Sequence, residues 1–222
     1  MPLNYLHSLF HRVESGWDPI SQEYAQDYAE FSSSRVDSSL VESLDARVGG
    51  LRGRRVLDLG GGPGQYSVLF AQRGAEVTWH DISREYRNIA EARANAMGVR
   101  LRYTLGYLES AAKLNPEPFD LVFCRVCWYY GRSDRQFARL FYSLVKPGGM
   151  GYIECNTPAF SNPSGARTVQ YWLNEFLGWK IGHPMPPRGR IAKLIQAYPI
   201  SSLSLDYSSP LLDIVEFRKA GQ

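Results

Sequence analysis

Apolar positions along the chain follow two periods. Short apolar runs bounded by charge and glycine mark buried strands, and stripes spaced three and four residues apart mark helices. Val56, Leu57 and Leu59 form the first such run, and a strand apolar on both faces belongs in a parallel sheet. Runs over 75–81, 99–105, 119–125 and 151–155 repeat the pattern. Between them, helices are predicted over 66–73, 84–97 and 134–145. The last carries Phe137, Leu140, Phe141, Leu144 and Val145 on one face, with Ser133 as its cap and Lys146-Pro-Gly-Gly149 as its break. Two more helices are predicted ahead of the first strand. One starts at Asp18-Pro19, an N-cap followed by proline at the first helical position, and carries Ile20, Tyr24, Tyr28 and Phe31 as a packing stripe. The other runs over 35–48, with Val36, Leu40, Val41 and Leu44 inward and Gly49-Gly50 ending it.

Residues 1–17 show no clear period and read as an arm or short helix. Beyond the fifth strand come turn chemistry over 156–165, a helix marked by Val169, Trp172, Leu173 and Phe176, and a loop over 178–189. A short helix over 191–197 then leads to a hairpin of 203–207 with 211–217 across Ser208-Ser209-Pro210. Strands alternating with helices make this an α/β chain.

One stretch does not fit a purely structural reading. Asp58 lies inside the first buried strand, where a carboxylate is costly unless something polar meets it, so a ligand or backbone amides are expected there. Gly60, Gly62 and Gly64 follow at every second position, and glycine lets backbone bend sharply and approach a ligand closely. The helix that begins near Gln65 adds free amides and a positive dipole end. Ligands of open α/β sheets bind in such a crevice outside the strand ends. Asp81, at the end of the second strand, suits a nucleoside, because one carboxylate can accept hydrogen bonds from both ribose hydroxyls; a helix-capping role is the structural alternative, and Ser83 can fill that role too.

Asp58-Leu-Gly60-Gly-Gly62-Pro-Gly64 resembles the first motif of the Rossmann-like S-adenosylmethionine-dependent methyltransferases. A dinucleotide fingerprint needs its third glycine where this chain has Gln65. The aromatic-Asp pair that opens Phe119-Asp-Leu-Val-Phe-Cys124-Arg125, and the helix, Pro-Gly-Gly and strand over 134–155, resemble later elements of that family, so the match covers about residues 54–157. The resemblance implies a mostly parallel seven-stranded sheet, doubly wound, with an antiparallel C-terminal hairpin strand. An N-terminal helical cap over 1–50 would sit on a domain over 51–222. It also implies S-adenosylmethionine as cofactor, held by Asp58, Gly60, Gly62, Gly64 and Asp81. Tyr28, with Tyr24, becomes a lid residue, and Arg125 ends the strand beside the transferred methyl group. Arg35 lies between the two N-terminal helices, where it either meets the methionine carboxylate or is a surface arginine. The family's adenine-binding aspartate is missing after Gly106, where Tyr107, Leu108 and Glu109 stand. Either Tyr107 packs on the ring or Glu109 takes the hydrogen bond.

Acceptors sit in this family beside Val126-Cys127-Trp128-Tyr129-Tyr130. Tyr129, Tyr130 and His183 are the candidate bases, should the acceptor need to lose a proton. His80 reads as a packed strand residue. The Cys124-x-x-Cys127 spacing is read against a metal or redox site, since there is no second pair and residues three apart in a strand face opposite sides. No metal is expected.

Composition adds bounds to this. The 44% apolar and 21% charged content is that of an ordinary globular chain. The net charge of +3 is too small to imply nucleic acid, and the twenty arginines and five lysines form no long run. Three cysteines make no disulfide framework, and no stretch has membrane-spanning length, so a cytoplasmic protein is expected. The sequence therefore points to methyl transfer onto the O or N of a small molecule, natural-product or sugar-like. The alternatives are an RNA or protein acceptor, with Arg132, Arg135 and Arg139 as contacts, an NAD-linked oxidoreductase, or a non-catalytic cofactor-binding partner.

Overall fold

The computed structural model describes residues 11–113, 117–157, 165–177 and 182–221. The beginning of the expected arm, the turn chemistry over 158–164 and the start of the loop at 178–181 lie outside the described residues.

β1 (Arg55–Leu59) organises the sheet. Val56 turns to one face, where it packs with Val41, Leu44, Tyr66, Phe70 and Phe123. Leu57 and Leu59 turn to the other, among Cys124, Phe137, Phe141 and Ile153. Burial on both sides is why the strand reads as an unbroken apolar run. The crossovers return through α3 (Gln65–Gln72), α4 (Arg84–Ala96) and α5 (Asp134–Leu144) to β2 (Glu76–Asp81), β3 (Arg102–Leu105), β4 (Phe119–Arg125) and β5 (Val145–Asn156). α6 (Gly165–Leu177) and α7 (Arg190–Ile195) precede the hairpin of β6 (Ile200–Asp206) and β7 (Leu212–Lys219). The seven strands lie in the order β3-β2-β1-β4-β5-β7-β6. β1 to β5 pair in parallel, and β7 inserts antiparallel between β5 and β6. This is the doubly wound sheet with an antiparallel hairpin strand expected from the sequence.

Ahead of it stand α1 (Gln22–Ser33) and α2 (Ser38–Val48). α2 ends as expected, on left-handed Gly49. α1 departs from expectation in two ways. Its cap is Ser21, whose hydroxyl accepts from the Tyr24 amide. Asp18 instead reaches the start of α4, where its carboxylate accepts from the Arg84 and Glu85 amides and the Ser83 hydroxyl. The first amides of a helix lack internal partners and favour negative charge, so this carboxylate stabilises α4 rather than its own helix. The expected packing stripe also inverts: Tyr24 and Phe31 are more than half exposed, while Ala25 and Ala29 are buried. Small alanines let α1 lie close on Trp79, Tyr86 and Ala90, leaving the rings on the outside.

The Lys146-Pro-Gly-Gly149 break is a strand irregularity. Val145 pairs with Phe119 and Met150 with Leu121, so 146–149 bulge out opposite Asp120 alone. Gly149 has no room for a side chain there, since a Cβ would lie 2.9–3.1 Å from three backbone carbonyl oxygens.

Candidate cofactor and acceptor site

β1 delivers Asp58 to the buried end of the sheet, and α3 returns Ser67 above it. The Ser67 hydroxyl donates to Asp58 Oδ2 at 2.6 Å. The polar partners within the chain are therefore the Ser67 hydroxyl and the Ser67 backbone amide, so a backbone amide does meet this carboxylate as expected, with a hydroxyl beside it. Burial pushes the Asp58 carboxyl up to about 7, with Ser67 pulling the other way. The turn that follows uses its glycines differently. A Cβ on Gly60 would strike Cys127 Sγ, and one on Gly64 would strike Ala90, while Gly62 has nothing within 4 Å. Two glycines thus permit close packing and the middle one leaves an open face.

Asp81 faces this turn. Its Oδ2 accepts from the Gly62 amide at 2.9 Å and its Oδ1 from the Ser83 amide at 3.0 Å. Burial raises its pKa and these amides oppose the shift. The Ile82 amide also meets it; a carboxylate has about four acceptor sites, so about one remains for another donor. Ser83 rather than Asp81 caps α4, accepting from the Tyr86 amide, and Asp81 holds the Ser83 amide in turn. His80 is fully buried between the Thr104 hydroxyl and the Tyr107 carbonyl, and burial lowers its pKa. It is the packed strand residue expected.

After β3, Gly106 leads into a tight turn over Leu108–Lys113. Leu108 is buried in the core. Glu109 accepts from the Arg132 amide at 2.7 Å, which ties this turn to the start of α5. The Tyr107 ring stacks on Trp17 at 6.4 Å, and its hydroxyl donates to the His11 carbonyl. Both adenine candidates therefore already have partners within the chain.

Of the two helices ahead of the sheet, α2 packs with Phe123 of β4 and with α3, and α1 packs on α4. Tyr28 stacks on Tyr24 and lies 5.7 Å from Tyr86, ring to ring. Burial pushes its phenol up while the nearby Arg125 charge pulls it down. Arg125 pairs with buried Glu154 at 2.8 Å and lies over the Tyr66 ring. Burial works against its charge, and Glu154 outweighs that to hold it protonated. Arg35 is exposed and rests on the Phe31 ring, 4.1 Å away; it does not join Arg125.

β4 itself ends in a sharp reversal. Val126 is the one non-glycine residue with positive φ among the described residues, at 57°. This reversal overturns the expectation that Cys124 and Cys127 face apart. Their sulfurs lie 3.2 Å from each other, and the Cys127 thiol also donates to the Leu59 carbonyl at 2.9 Å. Trp128–Tyr130 then form a single turn. Tyr129 and Tyr130 lie 4.7 Å apart, and Tyr130 lies 4.8 Å from His183, ring to ring. The three candidate bases thus share one wall. Burial raises both phenols, so at neutral pH they donate hydrogen bonds rather than take protons.

Sequence reasoning missed what supports this wall. Buried Asp134 accepts from Trp128 Nε1 at 2.9 Å and from the Tyr171 hydroxyl. Glu175, on α6, accepts from the Asp134 amide and the Ser133 hydroxyl and pairs with Arg190 at 2.8 Å. Burial raises the Asp134 pKa, and Tyr171 and Trp128 counter it. Glu175 lies 15–42 residues from these partners and Tyr171 lies 37 from Asp134, so no local pattern announces them.

An open depression of about 440 Å³ lies at the opposite end of the strands, lined by Arg52, Arg54, Asp120 and Lys146. It is remote from the glycine turn, and the Asp120 carboxylate there meets Arg54 and Lys146. Among the described residues there is no group of three or more metal-binding side chains and no helix long and apolar enough to cross a membrane.

An open glycine face, a carboxylate with an acceptor site to spare and a buried carboxyl poised near neutrality fit a cationic nucleoside such as S-adenosylmethionine. Comparison with known proteins agrees. Residues 56–149 match the family described as a methyltransferase domain. A ubiquinone biosynthesis O-methyltransferase of Aeromonas salmonicida is 36% identical over 119 residues, which are 54% of this chain and 50% of that protein. The match thus spans about half of that relative's length. The enzyme of the same name from Serratia proteamaculans is 28% identical over 193 residues, 79% of this chain and 78% of the other. The structure of magnesium protoporphyrin IX methyltransferase from Synechocystis PCC 6803, with the cofactor bound, superposes with a TM-score of 0.56 at 18% identity, covering 82% of this chain and 79% of that one. Motif, strand order and relatives lead to one conclusion: over residues 56–149 the chain carries a methyltransferase domain, on the Rossmann-like fold of the S-adenosylmethionine-dependent methyltransferases.

Proposed function

We propose that this methyltransferase acts on a hydroxyl group of a small molecule, with the acceptor lying against Tyr129, Tyr130 and His183. S-adenosylmethionine supplies an electrophilic methyl group on a sulfonium. The chain's own part is to bind, orient and keep water out. Asp81 receives a ribose hydroxyl, the open face at Gly62 accepts the approach of the cofactor, and the raised Asp58 carboxyl ionises as positive charge arrives. Tyr28, Arg125 and the turn after Gly106, with Leu108 and Glu109, border the same crevice; Arg35 reaches it only if its side chain leaves Phe31.

The observation that carries the acceptor class is the aromatic wall. Tyr130, with Tyr129 tilted against it at 4.7 Å and His183 edge-on at 4.8 Å, makes a wall suited to a compact, partly apolar molecule. The relatives named for ubiquinone biosynthesis support oxygen as the accepting atom. A reducing, cytoplasmic setting suits the three free cysteines.

Labelled S-adenosylmethionine, offered with a panel of phenols and polyols beside total RNA and protein, tests the reading. Label should enter a phenolic or polyol product and be unaffected by moderate salt. Label that follows RNA and vanishes as salt rises would overturn it.

A further inference from the structure

Cys124 and Cys127 take no part in the function proposed above, yet they form an unusual pair. Cys124 is fully buried and Cys127 is 7% exposed. The left-handed kink at Val126 brings their sulfurs to 3.2 Å, so closing a covalent bond needs only about 1 Å of approach. Cys127 also belongs to the cofactor crevice. Its thiol donates to Leu59 O, the last residue of β1, and its Sγ occupies the space that keeps Gly60 a glycine.

We propose that Cys124 and Cys127 are a reversible thiol–disulfide pair that a peroxide oxidises through the cofactor crevice, and that the disulfide weakens cofactor binding. The inference rests on the reading that the crevice around Gly60 and Gly62 holds the cofactor. Cys127 is the less buried of the two residues and borders the glycine turn, so it attacks first: its sulfur bonds to one peroxide oxygen, the O–O bond breaks and water leaves, giving a sulfenic acid. The Cys124 sulfur then bonds to Cys127 Sγ, the S–O bond breaks and a second water leaves. Two thiols and one hydrogen peroxide thus become one disulfide and two waters. Cys127 loses the proton it donated to Leu59 O, and its sulfur is drawn toward Cys124 and away from the glycine turn. The turn loses a hydrogen bond and a packing partner together. Cys155 lies outside the pair, and no disulfide to it is expected.

The purified full chain is treated with hydrogen peroxide, alone or with saturating S-adenosylhomocysteine, then digested with trypsin. Cleavage after Arg125 separates the two cysteines, so the disulfide appears as a joined pair of peptides, one ending at Arg125 and one at Arg132. The expected result is that joined pair, its slower formation with S-adenosylhomocysteine present, and binding of that probe about tenfold weaker by calorimetry, the change expected from breaking one buried hydrogen bond. A phosphine reductant should restore the affinity. Cys124→Ser should yield no joined pair and should carry a dimedone adduct on Cys127. Free thiols at both positions after peroxide, in protein that still melts cooperatively, would overturn the pair. A joined pair with unchanged affinity would overturn its effect on the cofactor. Reduced protein that binds no S-adenosylhomocysteine would instead break the reading of the crevice, because the joined peptides report on the thiols alone.

Discussion

The two halves of the proposed site are built by different means. The cofactor half, at the ends of β1 and β2, is made of backbone and buried carboxylates drawn from one continuous stretch and its neighbour: Gly62 and Asp81 are nineteen residues apart, Asp58 and Ser67 only nine. The acceptor half, beyond β4, is made of aromatic rings held by a polar network that spans α5, α6 and α7. The first half is rigid because its glycines are fitted against Cys127 and Ala90. The second is set by Asp134 and Glu175, each serving several donors. A fixed donor site beside a wall supported from a distance is what a family needs in order to keep one cofactor and change its acceptors.

The contrast can be broken most directly at Gly64. Gly64→Val places a branched side chain at φ +77° and against Ala90, costing about 3 kcal/mol or more in stability. Thermal unfolding should show this, with S-adenosylhomocysteine binding lost; a variant that melts and binds like the parent would show that the turn is not close-packed.

Asp58 gives the next effect, through pH. Its folded pKa, about 7, lies above the unfolded value of 3.8. The stability it contributes is therefore complete below the unfolded value and is lost as pH rises through the folded one. Cofactor-free protein should melt lower as pH goes from about 5 to about 8, and Asp58→Asn should flatten that slope. An equal slope in the variant would place the titration elsewhere.

Asp81→Ala strands the Gly62 amide and removes the proposed ribose acceptor, weakening S-adenosylhomocysteine binding by about 1–3 kcal/mol. Trp128→Phe is its counterpart in the acceptor half. It leaves one oxygen of buried Asp134 without a donor and lowers stability by about 1–3 kcal/mol, with cofactor affinity unchanged. Calorimetry and melting on both variants decide whether the halves are separable; cofactor affinity lost in Trp128→Phe would show that they are not. The smallest effect belongs to His183→Ala. His183 is exposed and meets Tyr130 ring to ring, so stability should stay within about 0.5 kcal/mol while turnover of the acceptor falls.

The same contrast explains what could be read from the sequence. The strands, the glycine turn and Asp81 are local: an apolar run, a glycine spacing and an acid at a strand end all lie within a few residues of one another. The mostly parallel seven-stranded sheet with its antiparallel hairpin strand followed from the family resemblance which that motif and the later elements carry. Failures occurred where a residue serves something distant. Asp18 looks like the cap of the helix beside it, but its partners, Ser83, Arg84 and Glu85, are 65–67 residues away. The Tyr24, Tyr28 and Phe31 stripe has helical spacing, yet the alanines beside it decide which face turns inward. Cys124 and Cys127 would face apart in a continuous strand, and only the reversal at Val126 brings them together. Glu175 and Tyr171 give no local sign of their tie to Asp134.

The reach of Asp18 also bears on how the chain may be trimmed. A protein begun at Gln22 would keep all seven strands and both helices ahead of them, and would look like a harmless shortening. It would also lack the carboxylate that receives the first amides of α4, beside the Ser83 amide that steadies Asp81. Amide hydrogens of residues 83–86 would then exchange with solvent ahead of the rest of α4, and the loss would reach the nucleoside crevice from an arm that no catalytic argument includes.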